Sequence, residues 1–342
     1  MLEHRLTPSL TTSLMEEMII STMMKKSIKW LLVVTLVSSA GVFTACTSVD
    51  DNSADRPEST AVVIDETNFP DAHFRRFLLE QDYGKDGMLT NAEIAGITVM
   101  DVAEEEIASL KGIEHFTALD TLDCSGNELA VLDVSGNTAL RQLDCSFNDL
   151  SALDVSKNRT LEVLFLSFNH IASLDVSKNT ALKELACHYN CLTSIELSSN
   201  AELEYLLCNS NRLARLDVSK CAKLATLLCS SNQLTALDLS HNMSLAELSC
   251  PDNELTTLVV SRDAPLSKLY FCRNKISGKP MDELISSLPQ NTSSEIPRFI
   301  AVDHREGDEG NVLTKSQSDA VKAKGWSPQY WEENEGTWKE FD

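Results

Sequence analysis

Six of the ten cysteines fall in one phase of a 21-residue period, and this regularity raises two kinds of cysteine chemistry. In a protein directed to export, a row of thiols could form disulfides. It could also bind a metal ion such as Zn²⁺. The six residues are Cys124, Cys145, Cys187, Cys208, Cys229 and Cys250. Leu166 takes the same place in one repeat, so a simple apolar side chain also suits the position.

The place of these cysteines within the repeat argues against both chemistries. Each cysteine follows an inward leucine by two residues, so on a strand it points into the core as well. Thiols on adjacent coils would then lie side by side about 4.8 Å apart with parallel Cα–Cβ bonds, whereas a disulfide needs converging ones. A straight row also offers no tetrahedral shell for a metal. We predict buried free thiols; Cys221 takes the place of a repeat asparagine, and Cys191 and Cys272 are the candidates for exposed thiols.

An acidic stretch at residues 82–93 fits the calcium-loop pattern D-x-[DN]-x-[DN]-G-x₅-E, except that Gly84 offers no side-chain ligand at the third position. The predicted ligands of one structural calcium ion are Asp82, Asp86, the carbonyl of Met88, Thr90 and Glu93. The sharp turn would be made by Gly87. The alternative is a metal-free helical turn derived from such a loop.

These residues belong to a repetitive chain. The phrase T-A-L-x-x-L-x-C-S-x-N-x-L-x-x-L-D-V-S-x-N recurs every 21 residues over 117–276 without insertion. Repeats of this length and pattern are typical of leucine-rich repeats. The register leucines are Leu119, Leu140, Leu161, Leu182, Leu203, Leu224, Leu245 and Leu266. The sequence therefore predicts a leucine-rich-repeat solenoid of parallel β coils, about eight in number, with a small helical N-terminal cap and an α/β C-terminal cap.

Each coil has two halves with different predicted roles. The first half matches the strand of the concave face, and its asparagine should bond buried backbone groups at the bend. These asparagines are Asn127, Asn148, Asn169, Asn190, Asn211, Asn232, Asn253 and Asn274. The second half should form a short extended or 3₁₀ segment. Its acidic residues should accept bonds from nearby N–H groups and serine hydroxyls in tight turns; they are Asp133, Asp154, Asp175, Glu196, Asp217 and Asp238.

The repeat also carries a family resemblance. A 21-residue repeat with cysteine at this position and Leu-Asp-Val-Ser in its second half resembles the cysteine-ladder branch of the internalins, which are bacterial surface adhesion proteins. The resemblance covers about half of the chain and does not extend to the termini. It implies a protein-binding or adhesion function.

The N-terminal residues predict a lipoprotein of a Gram-negative cell envelope. Met24 is the expected start, and residues 24–45 combine a basic segment with a short apolar run, as in a signal peptide. Cys46 follows a lipobox-like Phe-Thr-Ala and is the predicted lipidation site. Residues 46–65 are polar and acidic and should form a disordered tether. We expect an outer-membrane lipoprotein, exposed on the surface and held by its lipid alone; the alternative is a plain secretory signal.

The caps are predicted from the segments that flank the repeats. The expected organisation is a leader at 1–45, a tether at 46–65, an EF-hand-like helical cap at 66–96, a degenerate first coil at 97–116, repeats at 117–276 and an α/β cap at 277–342. Residues 97–103 are interpreted as a copy of the Leu-Asp-Val-Ser half. A helix near 281–288, a strand at 299–302 and a helix at 314–324 should cover the last coil as a β-α-β unit.

The predicted function is recognition by the concave face. The net charge of −22 opposes nucleic-acid binding, and no catalytic motif is present. The predicted ligand-binding residues are Val163, Phe165, His188, Tyr205, Leu207, Leu228 and Tyr270. Phe147, Phe168 and Tyr189 fit binding and packing at the turn edge equally well. We expect a monomeric, non-enzymatic module for a protein or glycoprotein; the alternatives are glycan capture by Trp326, Trp331 and Trp338, and an envelope scaffold.

Overall fold

The structure is a computed structural model that describes residues 61–291, 294–303, 309–332 and 337–341. A 12-stranded sheet runs through this part of the chain, and its strands lie side by side in the order of the sequence. All neighbouring strands are parallel except the last two, which are antiparallel. Lys279–Ser287 (α3) precedes Arg298–Asp303 (β14), Lys315–Ala323 (α4) precedes Ser327–Glu332 (β15), and Thr337–Glu340 (β16) ends the sheet.

The repeats supply the concave strands in regular succession. They are Thr121–Asp123 (β4), Gln142–Asp144 (β5), Val163–Phe165 (β6), Glu184–Ala186 (β7), Tyr205–Leu207 (β8), Thr226–Leu228 (β9), Glu247–Ser249 (β11) and Lys268–Tyr270 (β13). On the other side, Ala236–Leu239 (β10) and Thr257–Val260 (β12) form a parallel pair. The remaining half-repeats are turns and irregular segments. None of the helices in the described ranges has the length and apolar character needed to cross a membrane.

The N-terminal cap packs onto the first coil. Val62–Val63 (β1) pairs antiparallel with Met88–Leu89 (β2), and two helices follow them, Ala72–Glu80 (α1) and Asn91–Gly96 (α2). Asp71 caps α1 by accepting bonds from the N–H groups of His73 and Phe74. Its other oxygen accepts from Ala108 and Ser109, at 3.0 and 3.1 Å, so one carboxylate joins the helix to the solenoid.

The first coil corrects one interpretation of the sequence. Residues 97–103 are not a second half-repeat, because Val99–Asp101 (β3) is a concave strand that pairs with β4. Met100 lies opposite Leu122, and both point into the core. The misreading has a simple cause: both halves of the repeat share the pattern apolar–Asp–apolar, which does not distinguish a concave strand from the opposite side.

Two rows of buried asparagines hold the coils together. The first row, at the bend after each concave strand, bonds buried backbone groups as predicted. The Nδ2 of Asn148 donates to the carbonyls of Cys124 and Cys145, and its Oδ1 accepts from Leu129 N at 2.9 Å. In the second row, Asn158 donates to two carbonyls of the preceding coil. Cys221 replaces an asparagine of this second row and offers one weak contact at 3.9 Å.

The thiol and acidic rows also behave as predicted, with one exception. The described cysteines are free, and those of the row are buried. Burial raises the pKa of Cys187 to about 12, so its thiol stays neutral. The carboxylate of Asp154 accepts the N–H of Ser156 at 2.8 Å, and this bond lowers its pKa. The exception is Cys272, which is buried rather than exposed, whereas Cys191 is partly exposed.

The C-terminal cap forms the predicted β-α-β unit. Strands β14 and β15 are parallel neighbours joined through α4, and β14 pairs with the last repeat strand, β13. Thr314 caps α4 as expected and forms a reciprocal capping box with Gln317. Trp326 is buried, and its indole N–H donates to the carbonyl of Pro289 at 2.9 Å.

Candidate binding surface

The outward side chains of the middle coils are less exposed than the sequence suggests. Val163, Phe165 and Tyr205 are partly exposed on β6 and β8, as a binding role requires. The other predicted anchors are buried, and the expectation that they face water is wrong; they are His188, Leu207, Leu228 and Tyr270. Neighbouring strands lie about 4.8 Å apart, so outward side chains of adjacent coils cover one another.

Among the described side chains, the most exposed aromatic feature lies just beyond the concave strands. The rings of Phe147, Phe168 and Tyr189, here called the aromatic stack, come from three consecutive coils. Ring centroids are 4.3 Å apart for Phe147 and Phe168, and 4.4 Å for Phe168 and Tyr189, with interplanar angles of 10° and 15°. Phe147 is 47% exposed and Phe168 36%. The rings therefore stack on one another and keep their outer edges in water.

The backbone under the aromatic stack is strained. Phe147, Phe168 and Tyr189 have φ angles of 55°, 55° and 53°, in the left-handed region that bulky residues rarely adopt. The equivalent residues of the other coils also have positive φ, so this conformation belongs to the repeat; they are Gly126, Ser210, Ser231, Asp252 and Arg273. Residues held in this region cost on the order of 1–3 kcal/mol and cluster at functional sites. What distinguishes the three coils is that this position carries aromatic side chains, of which Phe147 and Phe168 are exposed and Tyr189 is partly exposed.

His188 lies beside the aromatic stack and stabilises it without being accessible. Its ring meets Phe168 edge-on at 5.4 Å, and its Nδ1 is 2.7 Å from the hydroxyl of Ser167. Burial lowers the pKa of His188 to about 4, so the ring is neutral at pH 7. This serine–histidine pair is unsuited to catalysis, because both side chains are buried and Nε2 of the ring has no hydrogen-bond partner.

Two aspartates continue the concave face toward the N-terminus. Asp144 lies opposite Phe165 in the strand register, and Asp123 lies opposite Asp144. Burial, followed by repulsion from Asp123, raises the pKa of Asp144 to about 7. Burial also raises the pKa of Asp123, with Asp101 and Glu104 adding repulsion.

This raised pKa predicts how stability depends on pH. The folded-state pKa of Asp144 lies above the unfolded value, so the penalty for ionisation is absent below about pH 4 and complete above the folded pKa. We expect Asp144→Asn to raise the free energy of unfolding at pH 8 by on the order of 1–2 kcal/mol, since the side chain keeps some exposure to water. At pH 4 the two proteins should be equally stable in urea denaturation.

Asp175→Asn is the matched control. Hydrogen bonds from Ser177 lower the pKa of Asp175, so its stabilising contribution is present above the unfolded pKa and is lost as pH falls. The amide substitution should therefore give no gain at pH 8. An Asp144→Asn gain that is the same at pH 4 and pH 8 would contradict the argument.

The three acidic residues among the predicted calcium ligands do not form a metal-binding group, although Thr90 and Glu93 are in contact. Asp82 is fully exposed and forms an ion pair with Lys85, which lowers its pKa. Asp86 accepts the N–H of Met88 at 3.0 Å, in a local turn. Within the described ranges, no group of three or more His, Cys, Asp or Glu residues is arranged to hold a metal ion.

The end of the same loop has a structural use. Glu93 accepts bonds from the N–H and hydroxyl of Thr90, both at 2.8 Å, and so closes a capping box at α2. A Cβ at Gly84 would lie 2.0 Å from the carbonyl oxygen of Leu78, so this position excludes the missing ligand. In this conformation the five residues do not fit a calcium site, and the geometry favours the metal-free turn. Calcium binding stays a prediction.

Adding the missing ligand tests this loop. We expect Gly84→Asp to lower the free energy of unfolding by about 1–3 kcal/mol, the usual cost of forcing atoms into a packed site. Calorimetric titration should show no gain in calcium affinity. Gly87→Asn is the control, because a Cβ there meets nothing within 4 Å and asparagine tolerates its φ of +81°. A variant Gly84→Asp that is stabilised by calcium would show that the loop is a disabled metal site.

The remaining predicted sites divide into two groups. Trp326 is buried in the C-terminal cap and is not available to stack on a sugar, which corrects that part of the glycan alternative. Cys46 and the side chains of Trp331 and Trp338 lie outside the described residues.

Solved structures of bacterial proteins share this architecture. The functional domain of InlJ from Listeria monocytogenes, which includes a cysteine ladder, matches with a TM-score of 0.65 at 30% identity, over 77% of this chain and 55% of that chain. A leucine-rich-repeat protein of Leptospira interrogans gives 0.57 at 20% identity, over 69% and 62%. Internalin C2 from L. monocytogenes gives 0.52 at 22% identity, over 58% and 91%. The chain folds as a leucine-rich-repeat solenoid.

This solenoid confirms the predicted fold class and the predicted likeness to structures of the internalins, including one with a cysteine ladder. The chain spans 55% and 62% of the lengths of the first two structures, so their whole activities are not transferred to it. No protein-family model matches the sequence, and no curated protein matches it either.

Proposed function

We propose that this solenoid is a non-enzymatic, adhesion-type lipoprotein of a Gram-negative outer membrane that binds a protein or glycoprotein on its concave side. The observation that carries the proposal is the aromatic stack, with Phe147 47% and Phe168 36% exposed on a rigid scaffold. Exposed apolar surface of this kind usually marks an interaction site, and aromatic side chains are preferred anchors. Leucine-rich-repeat folds commonly serve in protein binding, which supports the same conclusion.

The concave strands extend this surface. Val163 and Phe165 of β6 belong to the coil that carries Phe168, and Tyr205 lies two strands further along. Eight repeat strands at about 4.8 Å spacing span roughly 34 Å, which is enough for about 800 Å² of contact per partner. Because the surface is preformed, binding requires little ordering of the protein.

Adhesion of protein-coated fluorescent beads to cultured epithelial cells tests the proposal. Beads that carry the full chain should bind, and the double substitution Phe165→Asp and Tyr205→Asp should abolish binding. Val131→Asp is the control, because Val131 is 76% exposed and lies outside the concave strands. Trypsin treatment of the cells should remove a protein ligand. Adhesion that withstands trypsin but is lost after periodate oxidation of cell-surface sugars would favour glycan capture instead.

Two parts of the proposal concern location and assembly. Protease shaving of intact cells should remove the protein while a periplasmic control survives; protection would favour an envelope scaffold. Light scattering should give the mass of a monomer.

Lipidation at Cys46 should be lost in Cys46→Ala, which would release the protein from membranes.

A further inference from the structure

The aromatic stack ends at an open position. Gly126 occupies the place that Phe147 has on the next coil: both have positive φ, and their N–H groups bond the equivalent carbonyls of Ser146 and Ser167, at 3.0 and 2.8 Å. A fourth ring in the series would lie above Gly126, but glycine has no side chain. The outer face of the Phe147 ring therefore has no further ring against it. This position, here called the Gly126 slot, is flanked by the side chain of Glu104 instead, and Phe147 is more exposed than Phe168.

The far side of the Gly126 slot is formed by Glu104. This residue occupies the equivalent place one coil earlier, with φ 58° and its N–H bonded to Ser125 O at 2.9 Å. The atoms nearest to a Cβ built on Gly126 all belong to Glu104, and its Cγ is closest at 3.0 Å. The slot is therefore bounded by an aromatic face on one side and by an exposed glutamate on the other.

The ionisable side chains that flank the Gly126 slot are mainly acidic. Asp123 and Asp144 lie on the adjacent strands, and Glu104 and Asp101 are close enough to Asp123 to raise its pKa. Glu128 follows Gly126 by two residues in the sequence. Among the described residues, no lysine or arginine forms an ion pair with Glu104, Asp123, Asp144 or Glu128; nearby Arg76 pairs with Glu105 instead. An anionic ligand would be repelled here, and a cation is attracted.

The shape of the Gly126 slot selects among cations. A guanidinium group is planar, stacks on aromatic faces and forms paired hydrogen bonds with a carboxylate. It also sheds water more readily than an ammonium ion. The other end of the aromatic stack is different, because Tyr189 there borders Ser210 and no carboxylate stands in that place.

We propose that the Gly126 slot binds an arginine side chain of a protein partner, with the guanidinium against the outer face of Phe147 and its N–H groups donating to Glu104. This inference rests on the proposed function, since it names the chemistry of the partner.

A peptide pair tests this proposal directly. The probe is the biotinylated peptide Gly-Arg-Gly-Arg-Gly on a biosensor surface, and its control replaces both arginines by citrulline, which is planar but uncharged. The full chain at low salt should bind the arginine peptide about fivefold or more tightly than the citrulline peptide, in keeping with a cation held over an aromatic face.

Substitutions locate the binding to the slot. Gly126→Phe should place a fourth ring in the slot and abolish the arginine preference. The φ of Gly126, +66°, is close to that of Phe147, and the atom nearest to the added Cβ belongs to the flexible stem of Glu104. Phe147→Gly copies the natural coil at Gly126 and should also abolish the preference, as should Glu104→Gln. Ser210→Phe is the matched control, because it adds a ring at the opposite end, and the preference should remain. Thermal denaturation identifies any variant that fails to fold.

Two results would overturn the proposal. Equal binding of the two peptides would show that the slot does not recognise the guanidinium charge. An arginine preference that survives in Gly126→Phe would assign the attraction to the acidic surface in general. If the preference is absent but bead adhesion still depends on Phe165 and Tyr205, the slot proposal fails and the proposed function stands. If adhesion is insensitive to those residues, the proposed function itself fails.

Discussion

Replacing Asn169 by alanine is expected to lower the free energy of unfolding by about 3–5 kcal/mol, because each buried polar group left without a partner costs about 1–3 kcal/mol. The Nδ2 of Asn169 donates to the carbonyls of Cys145 and Leu166 at 3.0 and 3.1 Å, and its Oδ1 accepts from Leu150 N at 2.9 Å. Alanine removes all of these bonds from a position that is 5% exposed. Water cannot replace them without opening the coil.

The second asparagine row supplies a graded comparison. Asn179 donates to Val155 O and Asn158 O at 3.1 and 2.8 Å, but its Oδ1 has no partner. Cys221 stands naturally in this row, so Asn179→Cys should cost less, about 1–2 kcal/mol. Urea denaturation of both variants measures the difference. An equal loss in the two variants would mean that the bonds to carbonyls dominate and that the bond from Leu150 N–H adds little.

The interior of the solenoid was predictable because every coil repeats the same environment. Leu143, Cys145 and Asn148 each have counterparts at the same phase in the neighbouring coils, so one assignment is tested repeatedly by the sequence itself. The register, the inward thiols and the asparagine bonds follow from that repetition. The acidic turns are predictable for the same reason, since each carboxylate is followed two residues later by the N–H that it accepts.

Exposure was less predictable, because it depends on neighbours that the repeat pattern does not describe. Strand alternation correctly places Leu228 on the outward face, yet its side chain is 0% exposed because side chains of adjacent strands cover it. Tyr270 and Cys272 are buried for the same kind of reason, near the C-terminal cap. The repeat period predicts whether a side chain points inward or outward, but it does not predict which neighbouring side chains cover it.

The role of the aromatic stack could not be predicted from the sequence alone. Three aromatics at the same phase were visible in the sequence, but packing and binding remained equally plausible. The 4.3 and 4.4 Å ring spacings show that the rings pack on one another, and the exposure of Phe147 and Phe168 shows that part of the stack also faces water. The predicted calcium loop is the opposite case, because its sequence pattern was specific but its local structure was not predictable. A local pattern suggested ligands, but the approach of Gly84 to the Leu78 carbonyl depends on tertiary structure.

Replacing Trp326 by alanine is expected to lower the free energy of unfolding by about 3–5 kcal/mol, the range for a large aromatic removed from a core. Trp326 is 2% exposed and also donates a bond to Pro289 O. Because a solenoid is stabilised by contacts between neighbouring coils, the loss should spread to the last repeats. Hydrogen exchange should therefore accelerate in β13 and β11 before it does so in β5. Trp326→Phe is the control, and it should retain most of the stability. Unchanged exchange in β13 would mean that the cap does not stabilise the repeats.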